Sequence, residues 1–587
     1  MKMKAKTPLK RAERSTLKRV LGYAFKYPFS VCGSLIFAFA SVVCTLFVPV
    51  LIGDAIDCIV GQGAVDFETL KTLFFKVIAF AVSAAIAQWI TGVCNNRLCC
   101  NVVRDIRADA FRKIMRLPVA YLDKHAHGDT VSRVVADADQ FADGLLLGFS
   151  QFFVGITTII GTIAFMLMTS WIIGLVVVLV TPLSLFVARF VATHTHRFFK
   201  TQTEVRGEQT AFTEERISGL KTVQAFSQED ESLEVFEEIN ERLEKASMNA
   251  VFYSSLTNPS TRFINNFVYA LVALIGGFSV LAGGGFTVGD LTKFLAYANQ
   301  YTKPFNEISG VITELKGAFT CAARIFELID ETEEVPDEEN EELSSVQGAV
   351  ELCSVDFSYE KDKKLIENLS LKVEKGKRVA IVGKTGSGKT TLVNLFMRFY
   401  DTDGGEVKID GKNVKSLTRK SVRKSFGMVL QETWIKSGTV KENIKMGNES
   451  ATDEEVVAAA KAAHAHGFIK RLENGYDTPL KEDGGSLSEG QKQLLCIARI
   501  MLALPPMLIL DEATSSIDTR TELKISDAFT ALTKDRTSFI VAHRLSTVEN
   551  ADVILVMEKG AVVEKGTHKE LIEKRGAYFE LYNSQFR

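Results

Sequence analysis

The chain carries almost no net charge, -2 over 587 residues, so no basic excess is available to neutralise phosphates and bulk electrostatics exclude a nucleic-acid partner. Cysteine is sparse and irregular. The nine at 32, 44, 58, 94, 99, 100, 321, 353 and 496 share no disulfide or metal-ligand spacing, and Cys99-Cys100 has no His or Cys neighbour to complete a site, so both read as packing. No small-residue cleavage site follows the first apolar run, which is too long for a signal-peptide core, so the N-terminal segment is expected to be retained. No Arg- and Ser-rich presequence of the organelle type is apparent either. Long apolar runs are missing after about residue 315, where the sequence turns soluble and α/β in character.

What is present falls into two parts. Hydrophobic residues make up 47% and charged residues 24%, the average of an apolar half and an ordinary soluble half, in a chain too long for one compact unit. Six segments are long and apolar enough to span a bilayer: 29 to 53, 72 to 98, 146 to 168, 171 to 194, 262 to 284 and 290 to 315. Before the first lie Lys2, Lys4, Lys6, Lys10, Arg11, Arg14, Lys18 and Arg19 against a single acid, Glu13. The loop after it holds Asp54, Asp57, Asp66 and Glu68 with only Lys71, whereas 97 to 133 is rich in Arg and Lys. The positive-inside rule then places both chain ends in the cytoplasm.

Spans three and four are joined by a few residues around Ser170, but the connections from two to three and four to five run to dozens. Arg104 to Leu117 and Gln202 to Ser227 show helical spacing without a spanning run, so the membrane helices are expected to continue into the cytoplasm. Each excursion turns back near His125 to Arg133 and Phe212 to Leu220, where a short helix could lie across a soluble partner. Asn265, Asn266, Asn299 and Gln300, with the aromatics Trp89, Phe294, Tyr297 and Tyr301, must face protein or water rather than lipid, either lining a substrate cavity or bonding between helices. An acidic stretch from Glu327 to Glu342 around Pro336 reads as an exposed linker.

Beyond the linker, the apolar run Val379 to Val382 leads into Gly383-Lys384-Thr385-Gly386-Ser387-Gly388-Lys389-Thr390, with Thr391 following: a P-loop in its strand, loop, helix context. The glycines let backbone N–H groups approach phosphates, the helix N-terminus adds positive dipole, Lys389 reaches the outer phosphates, and the Thr390 hydroxyl can ligate Mg²⁺. The run Met507 to Leu510 ends in Asp511 and Glu512, which places Asp511 to hold Mg²⁺ through water and Glu512 to polarise an attacking water. Leu487-Ser488-Glu489-Gly490-Gln491 opens a helix whose N-terminus can receive an anion.

In order with Gln431 (Val429-Leu430-Gln431-Glu432), Ser515-Ser516-Ile517-Asp518 and His543 (Val541-Ala542-His543-Arg544), these segments make the chain resemble the ABC transporter family over nearly its whole length, in its exporter-type half-transporter form. The resemblance implies an α-helical membrane domain of six long spans with cytoplasmic extensions, followed by an α/β P-loop NTPase domain. It implies boundaries at 1–27 for the basic segment, 28–322 for the membrane domain, 323–346 for the acidic linker and 347–587 for the nucleotide-binding domain. It further implies ATP and Mg²⁺ as cofactors, Tyr359 stacking on adenine, Gln431 at the metal and γ-phosphate and coupling to the membrane half, and His543 as a γ-phosphate switch. Two halves pair head to tail, with Ser488, Gly490, Gln491 and Asp518 completing the site on the partner's P-loop.

One departure stands out. The family's signature is Leu-Ser-Gly-Gly-Gln, and here Glu489 occupies its third position, adding like charge and bulk near a γ-phosphate. Since Lys389, Asp511, Glu512 and His543 are all present, a heterodimer with one competent and one weakened site is expected ahead of a homodimer. The expected activity is ATP-driven export of an amphipathic small molecule, lipid or peptide across a plasma (inner) membrane, with the ATPase domain cytoplasmic. An importer on the same frame, or a nucleotide-gated channel, is the alternative, and Glu512 argues against the channel.

Overall fold

The computed structural model describes residues 8–585 apart from 62–63, 181, 282–285, 338, 361–362, 431–432, 482–483, 486, 512–516 and 542–547. They divide into two units, Met1–Arg116 with His125–Thr332, and Leu117–Lys124 with Glu333–Arg587.

The first unit is helical, and its apolar runs become its spans. An N-terminal helix, α1 (Pro8–Ala24), precedes α2 (Pro28–Asp57), a short hairpin of β1 (Ile59–Gly61) and β2 (Ala64–Val65), and α3 (Phe67–Ile114). Pro28 starts α2 where its missing N–H costs nothing, and the Asp66 carboxylate caps α3 by accepting from the Glu68 and Thr69 N–H groups. The turn after α3 carries α4 (Val119–Lys124) and α5 (His127–Val134). The third span runs through α6 (Ala136–Leu147), a π-turn at Gly148–Phe152 and α7 (Phe153–Thr169). The fourth comprises α8 (Trp171–Val180) and the first part of α9 (Pro182–Ser218). After α10 (Leu220–Ala225) and α11 (Glu229–Ser255), the fifth and sixth spans are α12 (Thr257–Leu281) and α13 (Val288–Asp330).

The expected extensions of the spans are helical. α3 runs on to Ile114 and α9 to Ser218, and α9 pairs with α11 through Gln202–Ser247 at 3.0 Å and Arg242–Glu208 at 2.6 Å. Two helix ends meet where α2 and α13 cross at glycines. A Cβ on Gly289 would lie 2.2 Å from the Gly53 carbonyl oxygen, so only glycine permits the approach. Asp57 then accepts from the Gly289 N–H at 2.8 Å and the Thr287 hydroxyl at 2.7 Å, and Lys293 pairs with Asp54 and Asp290 at 2.8 and 3.1 Å.

Two details differ from the sequence reading. α13 continues through Asp330, past residue 323, because Ile325, Phe326 and Leu328 are apolar and buried while Glu327 and Asp330 are exposed. The short helix grouped with the second unit is α4, whereas the 125–133 segment stays with the first, and the Tyr400 hydroxyl donates to Asp123 in α4.

Among its described residues the second unit has one short two-stranded pair and two main sheets. The antiparallel one orders as β4 (Ile366–Val373), β3 (Val350–Phe357), β6 (Gly404–Ile409) and β7 (Lys412–Asn413). The other is parallel except at one edge, and its first strand, β5 (Arg378–Val382), leads to α14 (Lys389–Phe396). Next come α15 (Arg419–Lys424), β8 (Phe426–Val429), β9 (Gly438–Thr439), α16 (Val440–Lys445), α17 (Asp453–Ala462), α18 (His466–Ile469), β10 (Pro479–Leu480) and α19 (Glu489–Ala503). The chain ends with β11 (Met507–Asp511), α20 (Thr519–Thr533), β12 (Thr537–Val541), β13 (Val553–Glu558), β14 (Ala561–Gly566), α21 (His568–Lys574) and α22 (Ala577–Gln585).

The large sheet is ordered β14-β13-β5-β12-β11-β8, parallel apart from β13 with β14. Alternate residues of its strands face opposite ways, and this separates two cores. Ile381, Ile509, Phe539 and Leu555 pack under α14 with the antiparallel sheet, while Leu508, Leu510 and Ile540 pack under α19 and α20. The acidic linker folds onto α15: Arg419 donates from its backbone N–H to Asp337 at 2.6 Å and from its guanidinium to the Val335 carbonyl at 2.8 Å.

Candidate functional site

The sheet fixes where the site forms. Asp511 pairs with Val541, and Val541 with Ile381, so β11, β12 and β5 end level at their carboxyl edge, where the loop from Gly383 to Gly388 begins. Ligands of open parallel sheets bind at such an edge.

The loop requires its glycines. Gly386 and Gly388 take φ of +81° and +100°, and a Cβ at Gly383 would meet the Met557 carbonyl oxygen at 2.3 Å. Gly388 caps α14 without any side-chain acceptor, which leaves the first-turn N–H groups unclaimed by side chains. Lys384, Thr385 and Gly386 form an exposed crest, Thr390 is exposed at the first turn of α14, and Thr391 is buried beneath it. The buried Ser387 hydroxyl finds no hydrogen-bond partner among the described residues.

Lys389 reaches back over the loop, donating to the Gly383 and Lys384 carbonyls at 2.7 and 3.0 Å. Burial pushes its ammonium below the usual lysine range, and the Asp511 carboxylate opposes that shift. A half-buried cation, an orphaned hydroxyl and a row of N–H groups on a left-handed glycine loop form a concave anion receptor, and the fit to a polyphosphate is good. Thr390, at the first turn of α14, and Asp511, at the end of β11, carry oxygen donors of the kind a hard divalent cation takes.

Tyr359 follows β3. Its ring meets Phe357 and Tyr400 edge-on, at centroid distances of 4.9 and 5.0 Å, and its hydroxyl accepts from Asn394 of α14 at 3.1 Å. The phenol therefore stands beside the helix that the P-loop opens. Asn394 was not singled out in the sequence, because an amide inside a helix carries no signal of what it touches.

The signature segment is built as a cap. The Ser488 hydroxyl accepts from the Gln491 N–H at 3.4 Å, and the Gln491 side chain accepts from the Ser488 N–H at 3.0 Å. Gly490 lets α19 approach the start of α20: a Cβ there would lie 2.5 Å from the Thr521 methyl. Asp518 caps α20 by accepting from the Thr521 N–H at 2.9 Å, and this bond holds its carboxyl below the usual range. Glu489 accepts from Lys492 at 2.7 Å and Thr433 at 3.3 Å, and the Lys492 ammonium holds its carboxyl low, so the departing residue is an ionised, internally paired carboxylate.

The P-loop and Asp511 therefore come together at one sheet edge, with Tyr359 beside α14. Ser488, Gly490 and Gln491 gather with Asp518 on α19 and α20, across the sheet from α14. Gln431, Glu512 and His543 lie outside the described residues. In the membrane unit, Phe294, Tyr297 and Tyr301 are core residues rather than cavity walls, with the Tyr297 hydroxyl donating to the Leu46 carbonyl at 2.8 Å, and Trp89 faces outward.

Residues 31–305 match the family described as the ABC transporter transmembrane region, and residues 366–515 match the ABC transporter family. A Mycobacterium bovis protein named as a fatty acid ABC transporter ATP-binding/permease protein is 41% identical over 528 residues, covering 90% of this chain and 83% of that protein. An ATP-dependent lipid A-core flippase of Aliivibrio fischeri is 34% identical over 528 residues, covering 90% of each. Among solved structures, a bacterial Atm1-family ABC exporter with ATP bound superposes with a TM-score of 0.78 at 27% identity, covering 96% of this chain and 99% of that one.

Proposed function

Because this chain belongs to the ABC transporter family, as a half-transporter with its membrane region and ATPase fused, we propose that it exports an amphipathic compound as one of two paired halves. It is a multi-pass membrane protein and an ATPase coupled to transport. The finer reading rests chiefly on the loop from Gly383 to Lys389, whose half-buried ammonium and unclaimed donors suit a triphosphate.

Bound MgATP supplies a transferable phosphoryl group and a metal that neutralises the charge developing on it. The chain's own residues do the rest. Lys389 and the loop N–H groups hold the phosphates, Thr390 and Asp511 hold the metal, with Gln431 joining it, and Glu512 orients and deprotonates the attacking water. His543 contacts the terminal phosphate, and Tyr359 supports the base. Ser488, Gly490 and Gln491 sit on the opposite face of the sheet from α14, which favours their serving the P-loop of a second half. Separation of the two halves after hydrolysis then moves the long helices and the cavity between them.

Glu489 favours a heterodimer. Its ionised side chain brings negative charge to the N-terminus of α19, where the partner's phosphate would approach, while this chain's own P-loop keeps its full set of residues. The lipid and fatty-acid names of the relatives favour an amphiphile as cargo, and the charge of the flanking loops favours a plasma membrane with the ATPase domain cytoplasmic.

Vesicle transport is the test. The chain reconstituted together with its partner half, ATPase domains outward, should move a labelled amphiphile into the lumen with MgATP and not with a non-hydrolysable analogue. Flux in the opposite direction would make it an importer, and equal flux with the analogue would make it a channel. A stable, fully active dimer from this chain alone would remove the heterodimer.

A further inference from the structure

Away from the nucleotide residues, the membrane unit holds two adjoining cavities of about 450 and about 570 Å³ that share Thr45, Gln88 and Gln300. The smaller is walled largely by aliphatic groups such as Val48, Ile52 and Ala81. The larger has a polar wall, with Ser41, Asn95, Ser150 and Lys303 joining the shared amides. These residues come from α2, α3, α13 and the π-turn before α7.

The lysines of α13 differ. Lys293 is paired with Asp54 and Asp290 at the end of the helix. Lys303 lies fifteen residues from Val288, about 22 Å along a helix rising 1.5 Å per residue, within the segment read as the sixth span. Among the described residues lining either cavity it is the only ionisable group, and it has no ion-pair partner among them. A lysine inside a span is costly to keep charged unless water or a counter-ion reaches it. Beside it, the Gln300 amide oxygen is buried with no hydrogen-bond partner among the described residues, and a side-chain amide can turn either its oxygen or its NH₂ toward a ligand.

A lone cation beside the unpaired Gln300 amide, opening onto an aliphatic pocket, is complementary to a molecule with one anionic end and an apolar tail. We propose that this cavity takes an anionic amphiphile, with its carboxylate or phosphate head at Lys303 and Gln300 and its chain along Val48 and Ile52. This deepens the transport reading above and rests on it, by assigning the class of cargo.

Four probes sharing one eighteen-carbon tail test it: oleic acid, oleyl phosphate, oleyl alcohol and oleylamine. Binding to the full chain in nanodiscs is measured without nucleotide, at alkaline pH where the acid is ionised. The two anions should bind at least tenfold more tightly than the alcohol or the amine. Lys303→Glu should weaken the anions at least tenfold and improve the amine, and Lys303→Arg should keep the native order. Preference for the acid over the phosphate, or the reverse, identifies the head group.

Equal affinity for acid, alcohol and amine would overturn the proposal, as would an anion affinity unmoved by Lys303→Glu. MgATP affinity measured on the same samples shows that each variant is folded. Native protein that hydrolyses ATP without discriminating between the heads sinks the anionic site alone. Native protein that binds the anions but never hydrolyses ATP, even with its partner half present, sinks the transport reading instead.

Discussion

Removing the Lys389 ammonium should separate the protein's stability from its hold on nucleotide. Among the described residues the ammonium bonds to two carbonyls of its own loop, at 2.7 and 3.0 Å, and burial works against its charge. Two such bonds contribute about 1 kcal/mol each, offset by desolvation, so Lys389→Ala should change apo stability by no more than about 1 kcal/mol. Toward a phosphate the loss is a charge-assisted contact of about 2 kcal/mol, which is about thirtyfold in Kd. At a nucleotide concentration of 100 native Kd, ligand stabilisation should fall from about 2.7 to about 0.9 kcal/mol. Thermal denaturation with and without MgATP, beside equilibrium nucleotide binding, reads both numbers. Lys389→Met, which keeps the aliphatic stem, should behave the same way. Unchanged nucleotide affinity, or an apo protein destabilised by several kcal/mol, would refute the phosphate role and make Lys389 a structural residue.

Gly490→Ala places a Cβ 2.5 Å from the Thr521 methyl and 3.0 Å from that of Ile517, so it should destabilise the ATPase unit by about 1–3 kcal/mol in chemical denaturation. An unchanged midpoint would show that α19 and α20 part freely. Glu489→Gly removes the carboxylate paired with Lys492 and should raise the ATP turnover of the purified chain severalfold, and a fall or no change would remove the weakened-site idea. Tyr23, in α1, is pushed up to about 12 by burial and by its hydrogen bond to Asp109 at 2.7 Å. The stability it lends is present below the free phenol value of about 10 and is lost as the pH rises through about 12. The native-minus-Tyr23→Phe phenolate titration should therefore show one tyrosine ionising near about 12, and a midpoint at about 10 would contradict the burial.

What the sequence made legible was local in the chain. Val379 to Thr391 is strand, loop and helix in one stretch, and each glycine there answers to a nearby backbone constraint, so its motif and its fold coincide. The six spans were legible for the same reason, since a bilayer demands about twenty apolar residues in a row. Contacts made across the fold were not. Phe294, Tyr297 and Tyr301 stood open between cavity lining and interhelical contact because helical spacing does not say which face meets protein, and in the structure they are core. The cavity itself gathers Ser41, Gln88, Ser150 and Lys303 from separate helices, and only Gln300 of its polar wall was noted beforehand. A lone lysine inside an apolar run was the signal that could have pointed there. The acidic linker read as solvated because its counter-charges, Arg419 and Arg423, arrive from α15 about eighty residues later.

ATP turnover by Glu512→Gln, measured beside MgATP binding on the same sample, bears most directly on the claim that this chain drives transport by hydrolysis at its own P-loop. The expected result is native binding affinity with turnover reduced at least about a hundredfold, the scale of a lost general base. Turnover equal to that of the native chain would contradict it.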